Sequence, residues 1–130
     1  MSPARRILVI NPNSNTQVTE GVSEALEPLR ISGGPEIECV TLADGPFGVE
    51  TQQHVDQVSL LLRDTVVARP DVDAFVIACY SDPGLHGCRE ATPKPVFGIQ
   101  ESGILAALTQ TGANLAAGHL SAVGARRVAF

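Results

Sequence analysis

Short apolar runs alternate with longer amphipathic segments along the chain. Continuous β-branched runs are typical of strands buried on both faces, and apolar residues at helical spacing are typical of helices that cover a sheet. The pattern predicts strands at residues 6–10, 36–42, 74–79 and 95–99. It predicts helices at residues 16–29, 51–68, 83–91 and 101–110.

Strand and helix thus alternate four times, with short loops between them. This order predicts an α/β fold with right-handed crossovers, namely a flavodoxin-like parallel sheet of about four strands flanked by helices. We assign residues 1–112 to this domain. Residues 113–130 form an atypical tail: an Ala- and Gly-rich stretch followed by a run that resembles the start of another strand. The tail is therefore interpreted as the start of a truncated second half, or as an edge strand or frayed terminus.

Composition narrows the classes of function. The chain has 130 residues, 44% of them hydrophobic, which fits one globular domain. Its net charge of −5 argues against a nucleic-acid partner. No apolar run is long enough for a membrane span or a signal-peptide core, so a cytoplasmic location is expected. Three cysteines without a C-x-x-C pair, and three dispersed histidines, predict neither a disulfide framework nor a metal site.

In parallel α/β sheets, binding sites lie at the carboxyl ends of the strands. The segments that follow the predicted strands are residues 11–15, 44–48, 79–83 and 98–101. They hold most of the candidate binding and catalytic residues of the chain. No glycine-rich nucleotide fingerprint and no nucleophile elbow is present among them.

Cys79 is the main candidate for chemistry. It ends a predicted strand, and Asp82 and Pro83 are typical N-cap and first-turn residues of a following helix. Amides at such a helix start would stabilise a thiolate and lower the pKa of the thiol. The alternative is that Cys79 is a small buried hydrophobe. Cys39 and Cys88 are interpreted as packing residues.

Four segments together carry a family resemblance. They are residues 10–15 (Ile-Asn-Pro-Asn-Ser-Asn), 45–50 (Gly-Pro-x-x-Val-Glu), 78–84 (Ala-Cys-Tyr-Ser-Asp-Pro-Gly) and 95–99 (Pro-Val-Phe-Gly-Ile). In order and spacing they resemble the aspartate/glutamate racemase superfamily, and within it the hydantoin racemases. The resemblance covers residues 5–110, and it implies that the domain is one half of a racemase fold.

The resemblance implies a cofactor-independent racemase in which two cysteines face opposite sides of the substrate α-carbon. Cys79 matches one of these bases. The substrate would be a small molecule, a hydantoin or an amino-acid derivative, and the protein a homo-oligomer. The substrate-binding positions implied are Asn11, Asn13, Ser14, Pro46, Phe47, Ser81 and Asp82. Backbone N–H groups near them would stabilise the enolate-like charge.

The chain departs from the family pattern in one respect. Members carry the second cysteine in a second α/β half, whereas this sequence ends at Phe130, and neither Cys39 nor Cys88 lies in a matching motif. We therefore expect racemase activity to be weak or lost. The alternatives are a related enzyme of the maleate isomerase or arylmalonate decarboxylase type, and a half-domain without catalytic activity.

Overall fold

A computed structural model describes residues 3–111 of the chain. Four strands and four helices alternate along it. The strands are β1 (Arg6–Asn11), β2 (Glu36–Thr41), β3 (Ala74–Ile77) and β4 (Val96–Gly98). The helices are α1 (Thr16–Ala25), α2 (Gln52–Val67), α3 (Leu85–Ala91) and α4 (Ile99–Thr111), with a 3₁₀ turn at Glu27–Leu29. The tail assigned to residues 113–130 lies outside the described residues.

All strand pairs in the sheet are parallel, and the strand order is β2-β1-β3-β4. The predicted flavodoxin-like class is thereby confirmed. The chain moves from β1 to β2 on one side and then crosses to β3 on the other side of β1. The strand order therefore reverses between β1 and β3, and a crevice forms at such a switch point beyond the carboxyl ends of the strands.

The main core lies on one face of the sheet. Leu8 and Ile10 of β1 are in register with Phe75 and Ile77 of β3, and all four side chains are buried. Residues paired in parallel strands point to the same face, so these side chains form one apolar layer. The layer packs with buried residues of α2 and α3, which are Val58, Leu62, Val66, Leu85 and Cys88.

The opposite face carries a second row in register across the sheet: Cys39, Val9, Val76 and Phe97. Coverage of this row falls toward the β4 edge. Val9 is 5% exposed, whereas Phe97 is 46% exposed. Helix α4 follows β4 directly and leaves Ile99 and Leu105 partly exposed to solvent. The β4–α4 side therefore presents apolar surface.

Several predicted boundaries were wrong by a few residues. Helix α1 ends at Ala25, because Pro28 cannot continue an α-helix and belongs to the 3₁₀ turn. Strand β3 ends at Ile77, two residues early, and α4 begins two residues early, at Ile99. The cap assigned to Asp82 and Pro83 was also wrong. Helix α3 begins at Leu85 behind a left-handed N-cap glycine, Gly84.

Ion pairs tie the strands together near the amino ends of β1 and β2. Arg6 pairs with Glu36 at 3.0 Å and with Asp71 at 2.7 Å. Arg69 pairs with Glu38 at 2.6 Å and with Asp71 at 2.9 Å. The Arg69 guanidinium holds the pKa of Glu38 and of Asp71 below the usual range. These contacts bind β2, β1 and the α2–β3 connection to one another.

Within residues 3–111, no helix is both long enough and apolar enough to cross a membrane.

We expect stability to fall as the pH is lowered from about 4, the ordinary pKa of a carboxyl group. Carboxylates with a depressed folded-state pKa stabilise the fold above their unfolded pKa and lose that contribution as they are protonated. Replacing Arg69 with methionine removes the partner of Glu38 and one of the two arginine partners of Asp71, which keeps Arg6. The melting temperature of Arg69→Met should therefore fall less steeply between pH 5 and pH 2 than that of the wild type.

The matched control is Arg63→Met, because Arg63 is an exposed α2 arginine with no ion pair among residues 3–111. It should keep the wild-type pH dependence. Equal slopes for the wild type and Arg69→Met would contradict the assignment.

Candidate functional site

The candidate site lies where β1 and β3 end side by side. The Ala78 N–H donates to the Ile10 carbonyl over 2.8 Å, so strand-like pairing continues one residue past β3. Residues 11–15, which we call the asparagine loop, leave β1 at this point. Residues 79–82, the cysteine turn, leave β3 beside them. The fold thus brings together two of the predicted segments at the switch point of the sheet.

Asn11 organises the asparagine loop from inside. It is 2% exposed. Its Nδ2 donates to Asn13 Oδ1 at 2.8 Å, to the Asn15 carbonyl at 3.2 Å and to Thr19 Oγ1 at 3.0 Å. Its Oδ1 accepts from the Asn13 N–H at 3.1 Å. The side chain of Asn11 is therefore committed to holding the loop in shape.

This network fixes the orientation of the Asn13 amide. Its Oδ1 accepts from Asn11 Nδ2 and from the Asn15 N–H, the latter at 3.0 Å. Its Nδ2 consequently faces away and donates to no other residue within 3–111. No buried side-chain nitrogen or oxygen in that range lacks a partner, so this nitrogen is accessible to solvent. Asn13 therefore presents an oriented N–H donor to solvent at the carboxyl edge of the sheet.

The backbone amides of the asparagine loop are used within the protein. The Asn13 N–H binds Asn11 Oδ1, the Ser14 N–H binds the Pro46 carbonyl at 2.8 Å, and the Asn15 N–H binds Asn13 Oδ1. The donors that this loop can offer a ligand are therefore side chains. Backbone donors were expected here from the resemblance, and within residues 13–15 the structure shows them engaged.

The loop after β2 is fastened to the asparagine loop. The Leu42 N–H donates to the Asn11 carbonyl at 3.0 Å, and the Pro46 carbonyl accepts from Ser14. A Cβ at Gly45 would lie 2.3 Å from the Pro12 carbonyl oxygen, so only glycine permits this close approach. Phe47 follows this attachment and is 74% exposed. Pro46 therefore contacts Ser14 at the carboxyl edge of the sheet, and Phe47 follows Pro46 in the chain.

Cys79 is partly buried and packs against the main core. Its Sγ lies 3.4 Å from Ser81 Oγ, and either atom could donate. Tyr80, between them, is 49% exposed. The thiol therefore packs against apolar side chains, and its polar neighbour is the Ser81 hydroxyl.

Asp82 closes the cysteine turn and caps a distant helix. Its N–H donates to the Cys79 carbonyl at 3.0 Å. Its carboxylate accepts from the Gln100 N–H at 3.0 Å and the Glu101 N–H at 2.8 Å. Asp82 therefore caps α4 rather than α3. Burial raises the pKa of Asp82, and the two amide hydrogen bonds oppose that shift.

The other two cysteines are elsewhere. Cys88 is buried in the main core, and burial raises the pKa of its thiol to about 11. Cys39 lies on β2, where its Sγ accepts from Arg30 Nη2 at 3.8 Å. Cys88 is a packing residue, as predicted. Within residues 3–111 no group of histidine, cysteine or acidic side chains is arranged to hold a metal ion.

Three residues that hold the site in shape were not predicted from the sequence. Thr19 accepts from Asn11, and its hydroxyl also meets that of Thr41 on β2. Gly98 ends β4 and leaves the space that the Asp82 carboxylate fills. The signal for Gly98 was available, because a glycine at a strand end often marks a close approach of another group. The threonines carry no such signal.

Comparison with known proteins identifies relatives of the chain. A family model described as Asp/Glu/Hydantoin racemase matches residues 7–123. A hydantoin racemase from Pseudomonas sp. (strain NS671) is 38% identical over 101 residues, which cover 76% of this chain and 40% of that protein. A hydantoin racemase from Paenarthrobacter aurescens is 36% identical over 107 residues, or 76% of this chain and 43% of that protein. The chain spans less than half the length of these curated relatives.

A solved structure of a racemase has a similar fold over most of the chain. The allantoin racemase from Klebsiella pneumoniae superimposes with a TM-score of 0.75 at 31% identity, covering 82% of this chain and 44% of that one. The family match extends over most of the chain, and the fold agrees with it. The chain therefore belongs to the Asp/Glu/hydantoin racemase family.

Proposed function

We propose that the chain supplies one side of a racemase site for hydantoin-like substrates or other amino-acid derivatives, with Cys79 as the base. The observation that carries this proposal is the position of Cys79, at the β1–β3 switch point beside the asparagine loop, in a chain of this family. The relatives named above are hydantoin and allantoin racemases.

In the proposed reaction, the Cys79 thiolate removes the proton from the substrate α-carbon. The C–H electron pair moves toward the adjacent carbonyl and forms an enolate, while Cys79 becomes a thiol. A proton then returns to the α-carbon. The difficulty is the weak acidity of this carbon, so the site must stabilise the negative charge as it develops. The step needs no metal or organic cofactor.

We assign the stabilising donor to Asn13. Its Oδ1 is held by two hydrogen bonds, and its Nδ2 is accessible. A donor that is already oriented need not reorganise when charge develops, and such donors contribute about 3 kcal/mol each in characterised sites. Asn11 acts through Asn13, which it positions. The proposed substrate contacts are completed by Ser14, Pro46, Phe47 and Ser81.

Inversion needs a group on the opposite face of the α-carbon. Within residues 3–111, Cys79 is the one cysteine at the carboxyl edge of the sheet, because Cys39 and Cys88 lie in β2 and in the core. The second proton donor is therefore assigned to residues beyond this range or to another subunit. The part of the chain described can carry out one half of the proton transfer.

Cys79 should be the most readily alkylated cysteine at neutral pH. Cys88 is buried, and a pKa of about 11 lowers its thiolate fraction about 100-fold relative to an ordinary thiol. Cys39 lies within strand β2, and its Sγ accepts from Arg30 Nη2 at 3.8 Å. Iodoacetamide labelling of the folded protein, followed by peptide mass mapping, measures the three rates separately. Faster labelling of Cys39 or Cys88 would count against the assignment, and Cys79→Ser identifies the Cys79 signal.

The chain of 130 residues should exchange the α-proton of one enantiomer of a 5-substituted hydantoin with solvent deuterium, while inverting it far more slowly. One base can remove and return hydrogen on a single face. Proton NMR in deuterium oxide measures exchange, and chiral chromatography measures inversion. In Cys79→Ala, exchange should fall to the rate in buffer alone.

Exchange that survives in Cys79→Ala would overturn the role of Cys79. Rapid inversion that depends on Cys79 would keep that role and show that a second base reaches the site. Release of carbon dioxide from an arylmalonate, without exchange in hydantoins, would favour the decarboxylase alternative, which needs a single proton donor.

We also propose that the chain self-associates through its β4–α4 side, where Phe97 and Leu105 are 46% and 41% exposed. Exposed apolar patches of this kind drive association. Sedimentation velocity at micromolar concentration should show dimers or larger species, and Phe97→Lys should shift them toward monomer. Leu60→Glu is the matched control, because Leu60 is 69% exposed on α2, on another part of the surface. A wild-type chain that sediments as a monomer would refute the proposal.

A further inference from the structure

We propose that Asp82 is a positioning residue. Its carboxylate, seated in the space left by Gly98, ties the cysteine turn to the first amides of α4 and so holds Cys79 in place. The inference rests on the proposed function of Cys79. It assigns Asp82 a role different from the substrate contact implied by the family resemblance.

The hydrogen bonds of Asp82 connect two parts of the chain that are far apart in sequence. Its N–H binds the Cys79 carbonyl, three residues earlier. Its two carboxylate oxygens bind the amides of Gln100 and Glu101, which are 18 and 19 residues later. Each oxygen accepts one N–H of a helix start, where amides otherwise lack partners. The cysteine turn is thereby attached to α4 through one side chain.

The backbone at Asp82 shows that this attachment has a conformational cost. Its φ is +47°, and it is the one non-glycine residue within 3–111 with a positive φ. Aspartate tolerates this left-handed region better than most residues, but the conformation must still be held by its surroundings. The two charge-assisted hydrogen bonds supply that hold.

Gly98 makes the attachment possible. A Cβ at position 98 would lie 2.2 Å from the Asp82 Cγ and 2.4 Å from each carboxylate oxygen. A side chain at 98 and the Asp82 carboxylate therefore cannot occupy their places together. The carboxylate also faces Glu101, whose like charge is unfavourable, and Arg89, which pairs with Glu101 at 3.3 Å. The fit of Asp82 against Gly98 is thus a specific pairwise feature that a double-mutant cycle can isolate.

The test compares Asp82→Ala, Gly98→Ala and the double variant by the rate of Cys79 alkylation, with thermal unfolding measured in parallel. Loss of charge-assisted hydrogen bonds should loosen the turn and raise the alkylation rate of Cys79 about tenfold in either single variant. In the Asp82→Ala background the extra methyl group has room, so Gly98→Ala should add little. Gly103→Ala is the matched control, because a Cβ there meets nothing within 4 Å; it should leave the rate unchanged.

Asp82→Asn provides a conservative variant that keeps one acceptor oxygen, and its alkylation rate should lie between those of the wild type and Asp82→Ala. Unchanged Cys79 alkylation in both single variants would overturn the positioning role. So would equal effects of Gly98→Ala in the two backgrounds, because a general loss of stability would act in both.

Hydantoin deuterium exchange separates this inference from the proposed function. If Asp82 positions a working base, Gly98→Ala should slow Cys79-dependent exchange about tenfold, and the exchange should recover little in the double variant, which also lacks the carboxylate. If the wild type shows no exchange, the proposed function fails, while the alkylation cycle still tests the attachment of the turn. If exchange persists unchanged in the single variants, the positioning role fails and the proposed function stands.

Discussion

The parallel pairing of β1 with β3 is the constraint on which the site depends. Its register places Ile10 opposite Ile77, so both strands end at the same height. The main core enforces this register, because a slip of β3 by one residue would turn Phe75 and Ile77 away from the face that Leu8 and Ile10 share. The segments after the two strands then have to leave the sheet side by side. Burial of apolar side chains thus places the cysteine turn beside the asparagine loop.

The elements of the fold were predictable from the sequence because their signals are local. Apolar stripes identified α2, and the β-branched run identified β1. The supports of the site are long-range, and this is why they were missed. Asp82 and Pro83 have the local features of a helix start, yet the amides that Asp82 caps belong to residues 100 and 101. No pattern around Asp82 specifies that partner. The placement of Cys79 at a strand end was predictable, whereas the contacts that hold it there were not.

The amino and carboxyl ends of the sheet differ in the charge of the side chains that connect their segments. Near the amino ends of β1 and β2, arginines and carboxylates pair across segments of the chain and fasten them. Around Cys79, the groups are mainly neutral amides and hydroxyls. A thiolate and an enolate are both anions, and nearby unpaired carboxylates would oppose them. Asp82 is the acidic residue closest in the chain to Cys79, and its charge is directed into the amides of α4. The ion pairs of Arg6 and Arg69 are therefore kept apart from the proposed chemistry.

The loop after β2 is attached to the asparagine loop at several points. Substrate range could therefore diversify at a position of this loop that lies between the attachment points. The fixed points of the loop are Leu42, Gly45 and Pro46, which bind or touch the asparagine loop, and Glu50, whose N–H donates to His54 Nδ1. The Phe47 side chain projects into solvent between these anchors. Its size and polarity can thus vary without disturbing the backbone that shapes Asn13. For enzyme engineering, position 47 is a place where libraries would sample the rim of the crevice and leave its donor geometry intact.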